Sequence, residues 1–292
     1  MTFGMTESEV EEGVLEILSE LGYEILNGLD IAPDGINAER RSYSDTVLVE
    51  RLRDAVDRIN PNIPEEAREE AIKKVLRTES PQLIINNQNF HKKLVEGVDI
   101  EYRKKDGKLT NDKVWLFDFK NPQNNEFLAV NQFTILENNN NRRPDIILFI
   151  NGLPLVVIEL KNPADENATI WTAFNQLETY KSQIPSLFSY NEILVISDGI
   201  EARAGTITSN KERFMPWKTI EGKEIEPSAM PQLEVLFQGM FNKKILLDLI
   251  RHFIVFEQER QDIHKKLAAY HQYHAVNKAI DPTLPLSSDN KI

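Results

Sequence analysis

A chain of 292 residues with 41% hydrophobic content is long enough to bury a substantial core, either as one large domain or as a domain with an appendage. It contains no cysteine, which excludes disulfides and thiolate metal sites, and its formal net charge of −12 lacks the cationic excess with which a chain holds nucleic acid strongly by itself. No stretch approaches the roughly 18–20 apolar residues of a membrane span, and the N-terminus has no basic-plus-apolar secretory pattern, so a soluble, cytoplasmic protein is expected.

Residues 6–21 read as an amphipathic helix. Thr6 is placed to cap it, Glu9 takes the capping-box position, and Gly22 ends it; Val10, Val14, Leu15, Ile17, Leu18 and Leu21 form the apolar stripe. Residues 27–44, with Gly28, Pro33 and Gly35, read as loop. Helical spacing returns over 45–59 and, after the break between Pro61 and Pro64, over 65–77, where early glutamates and late lysines suit the helix dipole. A further helical or irregular piece begins at Phe90 and His91, the histidine being read as structural. From Val98 the pattern turns extended, with strands expected over 98–102, 114–119 and 127–135.

Residues 142–163, RRPDIILFINGLPLVVIELKNP, hold two apolar runs joined by Asn151-Gly152, residue types that accept positive φ and signal a hairpin. Nearly continuous apolar runs are what strands covered on both faces look like, so this hairpin should be central to a sheet. Its ends carry charges. Glu159 and Lys161 lie two apart and point to one side of a strand, and a three-residue loop about Gly152 would bring Asp145 opposite Glu159. Pro154 leaves that register open by a residue. Two carboxylates beside an ammonium suit metal-assisted hydrolysis of a phosphodiester, with Mg²⁺ or Mn²⁺ on the hard oxygens and the lysine acting on the phosphate charge. Arg142 and Arg143 beside them are read as DNA-facing, whereas the pairs Arg40-Arg41 and Lys104-Lys105 are read as solvated charge.

Residues 168–184 return to helix, with Gln176 and Tyr180 four apart on one face, and 191–207 read as strand, turn and strand. Helix, hairpin, helix, strand is the order of an α/β core. A loop-rich stretch over 201–232 suggests a boundary. Beyond it, 239–257 and 262–280 are expected to be helices, the latter carrying His264, His271 and His274. No GxxxxGK[ST] phosphate loop occurs, so the chain is not a complete P-loop motor.

The PD at 144–145 and ELK at 159–161 resemble the PD-(D/E)xK nuclease motif. The sentence around them, together with DFKNPQNNEFLAVNQFTI upstream, resembles the motor subunit of type I restriction enzymes. This resemblance implies an α/β, PD-(D/E)xK restriction-endonuclease-like core, a mixed central sheet flanked by helices, with extra N-terminal helices and a C-terminal helical segment. It implies an endonuclease domain over 1–232 and a helical linker over 233–292, leading into an ATP-dependent motor that the chain does not include. Asp145, Glu159 and Lys161 would be catalytic, Asp145 and Glu159 would hold Mg²⁺, and Gln176 and Tyr180 would form a supporting QxxxY element. Glu11 is the candidate for the acid that the first helix of many such nucleases brings to the metal, and Gln272 would read the adenine of ATP, which only the full-length subunit would bind. Double-stranded DNA is the expected substrate, and specificity and methylation subunits the expected partners. Two other readings stay open: a repair or recombination nuclease of the same motif class, and a non-catalytic docking module.

Overall fold

A computed structural model of the protein describes residues 6–104, 107–162 and 169–280. Lys105, the start of the helix expected from Ala168, and residues 281–292 of the C-terminal segment lie outside the described residues.

Helix α1 (Glu7–Glu20) begins at the expected capping box: the Thr6 N–H donates to the Glu9 carboxylate at 2.6 Å, and the Glu9 N–H donates to the Thr6 hydroxyl at 3.3 Å. Val10, Val14 and Leu18 are its buried stripe. There follow β1 (Glu24–Asn27), α2 (Val49–Ile59), α3 (Glu65–Leu76) and α4 (Leu83–Glu96). Helix α4 starts well before Phe90, in an Asn-rich segment whose weak helical signal is overridden when Asn87, Phe90, His91 and Leu94 are buried. Next come the hairpin β2 (Val98–Arg103) and β3 (Leu109–Val114).

The strand expected over 114–119 is absent. Strand β3 ends at Val114, and Trp115 is instead tied to the Asn60 side chain, which accepts its N–H and donates to its carbonyl, both at 2.8 Å. Leu116 and Phe117 are buried for packing rather than for a ladder. After β4 (Phe127–Asn131) come β5 (Ile135–Glu137), β6 (Asn140–Arg142), β7 (Ile146–Ile150), β8 (Leu153–Leu160), α5 (Ile170–Gln183), the short α6 (Pro185–Phe188), β9 (Ile193–Ser197) and β10 (Ala202–Gly205).

Six strands form one mixed sheet in the order β1-β4-β7-β8-β9-β10, so the expected hairpin does occupy its centre. Strands β1 and β4 run parallel, as do β8 and β9, and the other neighbours are antiparallel. Ile146, Leu148 and Ile150 of β7 join the core beneath α1, α2, α3 and α4, whereas Ile147 and Phe149 join the core beneath α5 and α6. Coverage of both faces accounts for the unbroken apolar runs.

The turn is a two-residue one, with Asn151 at φ 50 and Gly152 at φ 77. Gly152 is required there on a second count, because a Cβ would stand 2.3 Å from the carbonyl oxygen of Leu48. A bulge then shifts the register between Leu148 and Phe149, so Phe149 pairs with Pro154 but Leu148 with Val156. The bulge supplies the extra residue that a three-residue loop would have supplied. Asp145 therefore still falls opposite Glu159, one step beyond the pair Ile146 and Ile158.

Toward the C-terminus, α7 (Gln232–Met240) ends just inside the helix expected over 239–257, and what remains of that helix is α8 (Lys243–His252), which the Asn242 side chain caps. Residues expected to be helical at 254–257 and 262–267 form instead the hairpin β11 (Ile254–Glu259) and β12 (Asp262–Leu267), before α9 (Tyr270–Ile280). Its cause is tertiary: Lys265 of β12 is fully buried, its ammonium 2.7 Å from the Glu192 carboxylate and 2.9 Å from the Asn87 side-chain oxygen. The core also continues across residue 232, since Leu233, Leu236, Phe237, Leu249 and Ile250 pack in the same cluster as Val14 and Leu18. Among the described residues no helix is long and apolar enough to cross a membrane.

Candidate active site

One end of the sheet gathers the C-terminal ends of β4, β8 and β9 and the start of β7. Asp145 precedes β7, Glu159 of β8 pairs with Ile196 of β9, and Lys161 follows β8, its N–H donating to the Ser197 carbonyl at 2.8 Å. By the two-residue period of the strands, all three side chains take the face of Ile147 and Val157, the one covered by α5.

The geometry is close and dry. The Asp145 carboxylate accepts the Leu160 N–H at 2.7 Å, and the Lys161 ammonium donates to Glu159 Oε1 at 2.9 Å. Glu159 is fully buried, and its other oxygen, Oε2, has no hydrogen-bond partner among the described residues. Burial pushes the Asp145 carboxyl up to about 6, against the opposing effects of the Leu160 N–H and of Lys161. Burial and the neighbouring Asp145 raise Glu159 well above the usual carboxylate range. For Lys161, burial works downward, but Glu159 and Asp145 outweigh it and hold the ammonium above its ordinary value. Two close carboxyl groups, each disfavouring the other's charge, form a hard oxygen donor pair. Among the described residues no cluster of three or more His, Cys, Asp or Glu side chains is placed to hold a metal ion.

Helix α5 brings Gln176 and Tyr180 to the same face. The Gln176 amide donates to the Tyr180 hydroxyl at 2.6 Å, which leaves the phenolic hydrogen to donate elsewhere. Burial raises the Tyr180 hydroxyl, and the charges of Glu159 and Asp145 add to the effect, which places the phenol within electrostatic reach of both. The two arginines part company: Arg142 is braced by its guanidinium against Gln183 of α5 and the Asn141 carbonyl, whereas Arg143 is exposed.

Other sequence readings are redistributed. Glu11 accepts the side-chain amides of Asn131 and Gln132 on its two oxygens at 2.7 and 2.9 Å, and its charge also acts on Asp145. Glu7, one turn earlier on the same helix, is the acid whose charge acts on Asp145, Glu159 and Lys161 alike. Choosing among the many acids of this helix needs its rotation against the sheet, which one sequence does not carry. Arg40 is not solvated as read from its doublet: it is buried, with its guanidinium 3.7 Å from the centre of the Phe133 ring and donating to the Thr134 carbonyl. His91 is structural as expected, with Nδ1 2.9 Å from Glu192 Oε2. Gln272 caps α9 by accepting the Ala269 N–H at 2.9 Å, and it lines a cavity of ≈ 720 Å³ between α8, β12 and α9, away from the carboxylate site.

The chain matches the family described as type I restriction enzyme R protein N terminus over residues 4–213. It is 42% identical over 289 residues to the type I restriction enzyme HindI endonuclease subunit of Haemophilus influenzae, a match covering 98% of this chain and 27% of that protein. A protein of Methanocaldococcus jannaschii described as a type I restriction enzyme MjaIXP endonuclease subunit is 33% identical over 294 residues, with 94% and 27% covered. The EcoprrI endonuclease subunit of Escherichia coli is 30% identical over 159 residues, with 53% and 49% covered. The chain thus spans 27% of the length of the first two relatives. It belongs to the family of type I restriction enzyme R protein N-terminal regions.

Proposed function

We propose that this chain is the Mg²⁺-dependent nuclease domain of a type I restriction enzyme motor subunit, with a PD-(D/E)xK core, which hydrolyses double-stranded DNA. The observation that carries the reading is the convergence of Asp145, Glu159 and Lys161 at one buried sheet end, with Tyr180 and Gln176 across from them. The residues present fit a divalent ion. The buried Oε2 of Glu159, without a partner among the described residues, and the upward-shifted carboxyl of Asp145 would both be relieved by a bound cation. Asp145 and Glu159 would hold Mg²⁺, or Mn²⁺, and the ion would acidify a water and screen the phosphate charge.

The chain's own groups divide the remaining work. Leu160 N–H fixes one oxygen of Asp145, so the carboxylate is aimed before substrate arrives. Lys161, held against Glu159, keeps a full positive charge in a site with little water, where its action on the phosphate is strongest as negative charge grows there. Gln176 orients the Tyr180 hydroxyl, which supports the carboxylates from the α5 side. In the longer protein, Gln272 would contact the adenine of ATP, translocation would be driven by a motor region, and specificity and methylation subunits would supply the recognition of DNA.

Lys161→Ala in the full-length subunit, assembled with its partners, should lower plasmid cleavage by about 10²–10³ while ATP hydrolysis stays near wild type. Gln176→Ala and Tyr180→Phe should each give a partial loss. Agarose-gel cleavage run in parallel with phosphate release checks this, and cleavage by Lys161→Ala at the wild-type rate would sink the assignment.

A further inference from the structure

Gln132 stands immediately after β4 with a φ of 56, the left-handed region that a non-glycine residue avoids. Such a conformation is strained and persists where its surroundings over-determine it. Three contacts do so here. Its backbone N–H donates to the Asp145 carbonyl at 3.2 Å, its side-chain amide donates to Glu11 at 2.9 Å, and the neighbouring Asn131 amide donates to the other Glu11 oxygen at 2.7 Å. Behind it the loop chain is pressed close: the Gly28 N–H donates to the Asn131 carbonyl at 2.7 Å, and a Cβ on Gly28 would meet the Gln132 oxygen at 2.7 Å.

A regular antiparallel ladder would carry the pair Asn131 and Ile146 on to Gln132 and Asp145. The left-handed turn at Gln132 instead diverts the chain and keeps a single backbone bond to Asp145, so the backbone from which the Asp145 carboxylate projects is set by where Gln132 is held. What holds Gln132 is a carboxylate on a separate element, α1. Both oxygens of that carboxylate accept amide hydrogens, one from Asn131 and one from Gln132, which suits it to be an anchor.

We infer that Glu11 and Gln132 are positioning residues: Glu11 on the first helix clamps Gln132 in its left-handed conformation, and Gln132 in turn fixes Asp145 for divalent-ion binding. This rests on the reading of Asp145 as an ion-holding carboxylate, and it assigns Glu11 a place one step behind the ion instead of on it. Residues in that relation to a metal ligand typically change ion affinity by about 10- to 100-fold when removed.

The test is calorimetric titration of the chain with Mn²⁺, alongside thermal unfolding of the metal-free protein. Gln132→Gly, which tolerates the φ and keeps the backbone N–H but has no side-chain amide, and Glu11→Gln, which keeps the shape but faces Gln132 with a second donor or a single acceptor, should each weaken Mn²⁺ binding by about 10-fold or more. Both should unfold cooperatively, so weak binding cannot be put down to a lost fold. Gln132→Glu sets two carboxylates against each other and should also bind weakly, but combined with Glu11→Gln it restores a donor–acceptor pair and should recover affinity. Asp145→Ala should abolish binding.

Wild-type affinity in Gln132→Gly and Glu11→Gln, with binding lost in Asp145→Ala, would overturn the clamp and leave the site reading standing. Loss in Glu11→Gln as complete as in Asp145→Ala, with no recovery in the double variant, would make Glu11 a ligand and overturn the clamp as well. Wild-type binding in Asp145→Ala would overturn the site reading, and the clamp with it.

Discussion

At Asp145 the sequence places a carboxylate where the fold gives it almost no water, and burial pushes its pKa up to about 6 in the metal-free chain. An acid whose pKa rises on folding holds its proton more tightly in the native state than in the unfolded one. Its contribution to stability is then fully present below the unfolded value, near 3.9, and is lost as pH rises through about 6. From this group alone the metal-free fold should lose on the order of 3 kcal/mol between roughly pH 4 and pH 7. Asp145→Asn keeps an acceptor for the Leu160 N–H and removes the charge, so it should raise Tm, and by more at pH 7.5 than at pH 5, in thermal unfolding with chelator present. An equal gain at both pH values would mean that the buried charge is not what destabilises the site.

Among the elements, the β7–β8 hairpin was legible because its signals are local: two apolar runs, a turn dipeptide that accepts positive φ, and charges at the far ends. The first helix was legible for the same reason, down to its capping box. What sequence did not carry is set by contacts distant in the chain. Gln132 has no glycine-like signal for its backbone, Glu7 and Glu11 differ only in the helix rotation, and β12 reads as a polar helix until Lys265 finds its partners. Those partners make a testable element. Lys265 and Glu192 are both fully buried at the opposite end of β9 from the candidate site, with His91 on the same Glu192 oxygen. Removing one member of a buried pair strands the other, so Lys265→Met should cost about 3–5 kcal/mol in denaturant unfolding, whereas Lys265→Met with Glu192→Leu should recover much of that. Mn²⁺ affinity should be unchanged in both, because the ion-pair anchors the C-terminal hairpin and not the site. A single variant as stable as wild type would show the hairpin to be loosely attached.

For the whole molecule, the formal charge of −12 and a proposed grip on DNA pull in opposite directions. Non-specific affinity for duplex DNA comes from cations that displace phosphate counterions, each contact adding about 0.9 to the steepness of the salt dependence. Near the candidate site, Arg142 is braced against Gln183, and Arg143 is exposed. Few phosphates are therefore neutralised there, and the chain's net charge of −12 opposes the approach of the rest. The isolated chain should bind a duplex of some 20–30 base pairs with a Kd no tighter than the non-specific range of roughly 10⁻⁴–10⁻⁶ M at physiological salt, with a shallow salt slope that Arg143→Ala lowers by about one phosphate's worth. It should accordingly nick plasmid slowly even when Mg²⁺ is abundant. Fluorescence anisotropy between 50 and 200 mM salt measures both quantities. A Kd that stayed submicromolar across that range would mean that the chain carries a DNA interface its net charge conceals; a weak, shallow dependence would place the main source of grip outside this chain.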